Sequence, residues 1–364
     1  MQLLKFFRVD LAITFACLVV AYFYGSWEVV IITLMLILLE IVFSFDNAAV
    51  NAKYLMKMSP FWRKMFLTVG ILIAVFGMRL VFPFVIVSVA GSINPVEAWN
   101  LAMARGDVNT PGTYGYILNS AHSTIAAFGG MFLLMLFLDF VFDTKREVAW
   151  LTWIERPLQK IGRISAIAVA FALLALIAVG ELFADDAHRH DVYLAGIFGI
   201  VVFLAVNGLA TFMEEAQERR EEEMEAKSAE ALATGRTMLL TGQAAFSMFM
   251  FLEVLDASFS FDGVLGAFAV TTDPIIIAMG LGVGALFVRS MTVYLVDHNA
   301  LSNFRYMEHG AHWAIGVLAV MLLVTVKFEI PEIVIGMAGI VLITASIMWS
   351  IRANKREAAH AAIA

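Results

Sequence analysis

Charge is scarce in this chain. Only 15% of its 364 residues are Asp, Glu, Lys or Arg, 61% are hydrophobic, and the mean hydropathy is +0.86. A soluble domain carries roughly a quarter charged residues, so that class is excluded. Cysteine is scarcer still. Cys17 is the single copy, which rules out an internal disulfide, and its place in an apolar run makes it a filler against lipid or a neighbouring helix. Catalytic signatures are missing too: there is no His-Glu-x-x-His, no Gly-x-Ser-x-Gly and no phosphate-cradling glycine loop. The chain is therefore not expected to be an enzyme. The net charge of −7 gives no basis for nucleic-acid binding. No small-x-small cleavage site follows the first apolar stretch, where Tyr22, Phe23 and Tyr24 stand instead. Residues 1–25 therefore read as a retained span.

Present instead are apolar runs of the length that crosses a bilayer. They fall near 10–25, 28–50, 66–90, 121–142, 164–183, 192–213, 242–268, 275–296, 311–328 and 332–351. The expected fold is all-α, a polytopic transmembrane helical bundle of about ten spans. With both termini cytoplasmic, the inside segments collect 19 of the 24 Lys and Arg residues; Arg105, Arg189 and Lys327 fall outside, and Arg79 and Arg289 lie within the membrane. That asymmetry is the positive-inside pattern, and it predicts a multi-pass protein of a bacterial-type inner (plasma) membrane. Residues 1–191 form the first transmembrane half. Residues 192–236 hold the sixth span and a linker dense in Glu, Arg, Lys and Ala, read as a solvated helix extending that span. Residues 237–351 complete the second half, and 352–364 form a cytoplasmic tail.

Two stretches repeat. Residues 40–47 read Glu-Ile-Val-Phe-Ser-Phe-Asp-Asn and residues 256–263 read Asp-Ala-Ser-Phe-Ser-Phe-Asp-Gly. Each lies in an apolar run, where a carboxylate costs about 2.5–3.5 kcal/mol by insertion scales. Each is followed by one arginine, Arg79 or Arg289, and then by an Ala-His pair, Ala121-His122 or Ala311-His312, with Asp139 falling opposite Glu329. The paired spans are two and seven, three and eight, four and nine. An odd offset reverses direction through the membrane, so the two five-helix halves are expected to form an inverted-topology repeat. Secondary transporters are built this way, with the site at the repeat interface near the midplane.

On a helix, Glu40, Ser44, Asn47 and Asn51 share one stripe, and Glu253, Asp256 and Ser260 share another. These are oxygen donors with no thiol nearby, suited to hard divalent cations. Asp46 and Asp262 lie about 120° off those stripes on a regular helix, so either they serve a different neighbour or the helix unwinds near the Ser-Phe-Asp; Ser258, Ser260 and Gly263 could accommodate such a break, which would free carbonyls at the site. Gly263 and Asn47 read as residues that accept unusual backbone angles. Glu40, Asp46, Glu253, Asp256 and Asp262 outnumber Arg79 and Arg289, so a bound cation, protons or both would neutralise the excess, as coupled exchange requires.

These residues resemble the TerC family of integral membrane proteins, grouped with the LysE-like transporters. Glu40, Ser44, Asp46 and Asn47 match its first signature. Asp256 and Asp262 open and close the second, Arg79 and Arg289 match an arginine on the following helix, and Phe304-Arg305-Tyr306-Met307-Glu308-His309-Gly310 is similar to a late-helix motif. Gly263 in place of Ser or Asn, the extra acid Glu253, and the charged linker mark a divergent, uncharacterised branch. The resemblance implies export of a divalent metal, above all Mn²⁺, with protons as the coupling ion and no resident cofactor. Glu40, Asp46, Asp256 and Asp262 would be ligands, supported by Ser44, Asn47, Ser260 and Glu253, with Arg79 and Arg289 balancing charge. His122, His312 and Asp139 would be accessory. Two alternatives stand: a LysE-like exporter of a small organic cation or amino acid, and a membrane scaffold in metal or tellurite stress that transports nothing. Oligomeric state is not legible.

Overall fold

The computed structural model describes residues 7–44, 48, 51–52, 54–56, 58–73, 77, 79, 81, 84–85, 88, 93–104, 110–164, 166–186, 188–232, 242–271, 273–298 and 306–361. Within the helices, the side chains of 213–232, 257–262 and several others lie outside that description. Asp46 and Asn47 therefore fall outside it, as do the side chains of Ser260 and Asp262.

Every described element is helical. In chain order these are α1 (Arg8–Phe43), α2 (Pro60–Met65), a π-helical turn (Phe66–Gly70), α3 (Ile71–Ile73), α4 (Pro95–Ala104), α5 (Tyr114–Phe142), α6 (Thr152–Ile161), α7 (Ile167–Leu182), α8 (Arg189–Leu232), α9 (Gly242–Val270), α10 (Pro274–His298), α11 (Met307–Val324) and α12 (Glu332–Ala361). Local chemistry sets several starts. Asp273 Oδ1 accepts the Ile275 and Ile276 amides at 2.8 and 3.3 Å, with Pro274 at the first helical position, a capped entry to α10. The Thr113 hydroxyl accepts the Tyr116 amide at 3.3 Å and starts α5.

α1 is two helices joined at a reversal. Gly25 (φ −160°, ψ 30°) and Ser26 (φ 71°, ψ −164°) leave helical geometry. Its two arms run in opposite directions along α10. Tyr24 donates to Asp273 at 2.9 Å and Phe7 stacks near Phe287, so the first arm is antiparallel to α10. Leu36 abuts Gly280 and Glu40 abuts Gly284, so the second arm is parallel to it. A glycine carries the close turn because it has no Cβ to clash.

Six helices among the described residues are long and apolar enough to span a membrane: Arg8–Phe43, Ser120–Phe142, Arg189–Leu209, Pro274–Tyr294, Met307–Val324 and Val334–Arg356. The chain is a multi-pass helical membrane protein. The ten expected runs differ from these six in identifiable places. Arg8–Phe43 holds two arms, Ile167–Leu182 has 16 residues, the run 66–90 is described only in part, and α9 carries Glu253, Asp256 and Asp262 within its 29 residues. The charged segment after residue 213 continues α8 without interruption to Leu232.

α5 sits at the centre. Of its apolar window 78% is buried within the protein, against 28% for α8 and 33% for α12, so α5 is core and the other two face outward. α5 and α11 pack antiparallel: the His122 ring meets the Thr325 carbonyl at 3.2 Å, Gly130 abuts Leu323, and Phe140 stacks on His312 with centroids 3.8 Å apart. Of the two alternatives for the second motif, unwinding is not what forms: α9 is continuous helix from Gly242 to Val270. The irregular backbone lies across from it, in the π-helical turn Phe66–Gly70 and again at 77, 79 and 81. π-bulges of this kind are frequent at functional sites.

Candidate functional site

Glu40 ends the second arm of α1. Its carboxylate is 2% exposed, far from bulk water, and its Oε1 gathers donors. Ser44, one turn on, donates its hydroxyl at 3.0 Å; Arg79 donates Nε at 2.9 Å and Nη2 alongside. Arg79 is 3% exposed. A buried carboxylate of this kind survives only when paired and hydrogen-bonded. Three glycines make the room. At Gly284 an added Cβ would lie 2.5 Å from Glu40 Cγ, at Gly280 2.4 Å from Leu36 Cβ, and at Gly263 2.8 Å from Glu40 Oε2. Gly280 and Gly284 form the small-xxx-small spacing that lets helices approach closely in lipid. Gly263 has helical backbone and no positive φ. Its role is clearance for Glu40, not unusual backbone angles as its motif position suggested.

Beside the Glu40–Arg79 pair lies a cavity of about 30 Å³ lined by Asn51, Phe66, Leu67, Gly70, Arg79, Asp256, Ala285, Val288, Arg289 and Thr292. Its walls come from the segments assigned in sequence to spans two, three, seven and eight. It has room for one or two water-sized particles. Asn51 is 3% exposed and its Oδ1 has no hydrogen-bond partner among the described residues. Thr292 is buried and donates its hydroxyl to the Val288 carbonyl at 2.9 Å. Glu253 sits one turn before Asp256, and an added Cβ at Gly70 would come 2.0 Å from its Oε1. That oxygen is buried and has no hydrogen-bond partner among the described residues.

The remaining sequence candidates separate by position. Arg289 lines the cavity and is exposed. His122, His312 and Asp139 line none of it. His122 faces the Thr325 carbonyl, His312 faces the Glu308 carbonyl at 2.9 Å, and Asp139 is exposed. Among the described residues, no group of three or more His, Cys, Asp or Glu stands together as a metal cluster. The gathered donors are instead one carboxylate, one amide oxygen and one hydroxyl. Sequence reasoning missed Thr292, Gly70 and Gly284. Only the Gly280-x-x-x-Gly284 spacing announced any of them.

A second polar centre, also missed, lies in the segment read as a cytoplasmic loop. α6 points its polar residues inward: Glu155 is fully buried and Gln159 is 7% exposed, while Trp153 is 76% exposed. Glu155 accepts the Trp150 and Leu151 amides, the Trp313 indole at 3.0 Å and His309 Nδ1 at 3.0 Å. Arg146 lies 3.6 Å away with its guanidinium over the Phe140 ring. Burial opposes ionisation of Glu155, but the bonds from His309, Trp313 and Leu151 outweigh it and hold the carboxyl at about 2. The cluster ties the 143–161 segment to the start of α11.

Residues 45–357, more than half of the chain, match the family described as Protein of unknown function (DUF475), and the chain belongs to that family. No curated protein and no solved structure matches it.

Proposed function

We propose that this DUF475-family membrane protein is a secondary transporter that exports a divalent cation, above all Mn²⁺, in exchange for protons. The observation that carries the reading is the cavity of about 30 Å³ where Asn51, Asp256 and Thr292 offer side-chain oxygen beside a buried Glu40–Arg79 pair. Asp256 and Asn51 offer hard oxygen donors there, with no sulfur. Glu40, Ser44, Asp46, Asn47, Ser260, Glu253 and Asp262 belong to the same two motifs, and Arg79 and Arg289 balance their charge. The antiparallel α5–α11 pair supports the inverted repeat that such transporters use. The resemblance to the TerC family points to the same substrate.

Size favours a bare ion over an organic cation. The cavity holds about 30 Å³, against ~300 Å³ or more for a small-molecule pocket. Asp46→Asn is expected to abolish Mn²⁺ export from vesicles while the protein remains folded in the membrane. Export at the wild-type rate in that variant would remove the site. In a deletion strain, intracellular Mn²⁺ by elemental analysis should be restored by the wild-type chain and not by Asp262→Asn. Unaltered Mn²⁺ content in the deletion strain would favour a scaffold.

A further inference from the structure

α6 (Thr152–Ile161) is amphipathic in the wrong sense for a helix in water. Its row of Glu155 and Gln159 is turned into the protein. Two other rows are left outside. One is basic: Arg156, Lys160 and, just past the helix, Arg163 are exposed. The other is apolar. Trp153, Pro157 and Ile161 follow at intervals of four, then Ile164; Trp153 is 76% exposed and Ile164 59%. Residues four apart share a helix face, so the basic and apolar rows run side by side on one exposed surface. Arg156 spends part of its guanidinium on Gln159 at 3.3 Å and the Glu147 carbonyl at 2.8 Å. Lys160 and Arg163 make no hydrogen bond or ion pair among the described residues. No acid stands between Arg156 and the start of α7.

The neighbours of α6 fix its level. Gly162 is pressed on the Phe142 carbonyl at the end of α5, and Glu155 holds His309 and Trp313 at the start of α11. α6 therefore lies across one end of the bundle. The basic end of α12 reaches the same end: the Trp150 and Trp349 rings are 6.4 Å apart, and Arg352 and Lys355, exposed, follow Trp349 within two turns. α7 begins shortly after Ile164 and exposes Phe171, Leu174 and Ile177, which carries the apolar row onward. The 16 residues of α7 rise about 24 Å at 1.5 Å per residue, short of the ~30 Å hydrocarbon core. A helix of that length begins at the edge of the core, which sets α6 at the headgroups. None of these residues lines the cavity beside Glu40.

We propose that α6 is an interfacial helix, with Trp153, Ile161 and Ile164 seated at the boundary of the acyl chains and Lys160 and Arg163 binding the phosphate groups of anionic phospholipid. Tryptophan favours that level because its ring is apolar and its N–H is polar. Helices that lie in the headgroup plane pair an apolar row with a basic one, and basic clusters at the ends of spans take anionic headgroups. The occupant is lipid because the apolar row continues into the exposed side of α7. Glu155 and Gln159, on the opposite side of α6, supply the polar anchor that keeps the helix flat against the bundle.

The test uses the full-length protein in nanodiscs of phosphatidylcholine with or without phosphatidylglycerol. In a Cys17→Ser background, a fluorescent label on Pro157→Cys should be quenched by shallow spin-labelled lipid about threefold more than the same label on Asp186→Cys, whose side chain is 91% exposed. Equal lipid quenching at the two positions, with acrylamide reaching both from water, would leave α6 in water for a protein partner and overturn the proposal. Spin-labelled phosphatidylglycerol should associate with the wild-type chain in preference to phosphatidylcholine. Lys160→Gln with Arg163→Gln should weaken that preference about fivefold or more, and Lys160→Arg with Arg163→Lys should keep it. An unchanged preference in the Gln pair would remove the headgroup site. Excess inorganic phosphate should leave the labelled lipid in place; its displacement would make the basic row a site for free phosphate and remove the lipid surface.

Discussion

Glu40 shows how one residue sets the terms for its surroundings. Its carboxylate needs Arg79 and Ser44 to be tolerable at 2% exposure. Arg79→Gln leaves that charge buried without its partner and is expected to cost about 3–5 kcal/mol. Adding Glu40→Gln should return much of that loss, because both charges are then gone; chemical denaturation of the two single variants and the double variant measures the coupling. A double variant no more stable than Arg79→Gln would mean that the arginine holds something other than Glu40. Glu155 makes a separate case in the segment between α5 and α7. Its carboxyl is held at about 2, below the ordinary 4.5. A lowered native value means the charged form is favoured by folding. Its contribution is therefore complete above pH about 4.5 and lost as the pH falls toward about 2. Glu155→Gln should flatten that part of the acid-unfolding curve and destabilise the protein by about 3 kcal/mol at neutral pH. An unchanged acid limb would assign the acid sensitivity to other groups.

Between elements, small residues decide what can meet. α10 presents Gly280 and Gly284 to the second arm of α1, and the contacts are with Leu36 and Glu40 themselves. Gly284→Ala would place a methyl group 2.5 Å from Glu40 Cγ, and an overpacked site of this kind costs about 1–3 kcal/mol. The loss should appear as a lower unfolding temperature together with weaker Mn²⁺ stabilisation, since the same side chain borders the site. Gly77→Ala, with open space around it, serves as the neutral control. The sequence placed the irregular backbone in the wrong helix. Ser258, Ser260 and Gly263 suggested a break in α9, yet α9 runs on and the π-helical distortion falls at Phe66–Gly70 and around Arg79. Gly263 is a spacer for a distant carboxylate, and nothing in the local pattern separates a spacer glycine from a hinge glycine.

For the whole molecule, the question is which loops share a side. In a Cys17→Ser background, Asp186→Cys should react with a membrane-impermeant maleimide from the outer face only, and Arg163→Cys and Lys355→Cys from the inner face only. Labelling of positions 163 and 186 from one face would break the span count between them. Much at this scale is legible in the order of residues alone. Apolar runs and the sorting of Lys and Arg are properties of consecutive residues, and a bilayer acts on consecutive residues. The two acidic motifs are legible for the same reason: a carboxylate inside an apolar run is conspicuous wherever the chain goes. By itself the sequence determined an all-helical, multi-pass membrane protein and the location of its costly polar groups. Only the tertiary structure decided that Glu40 takes Arg79, that Asn51 opens into a cavity of about 30 Å³ with Asp256 and Thr292, and that Glu155 clamps His309 and Trp313. Those contacts join residues tens to hundreds of positions apart, and their energies depend on distances that exist only once the helices have packed.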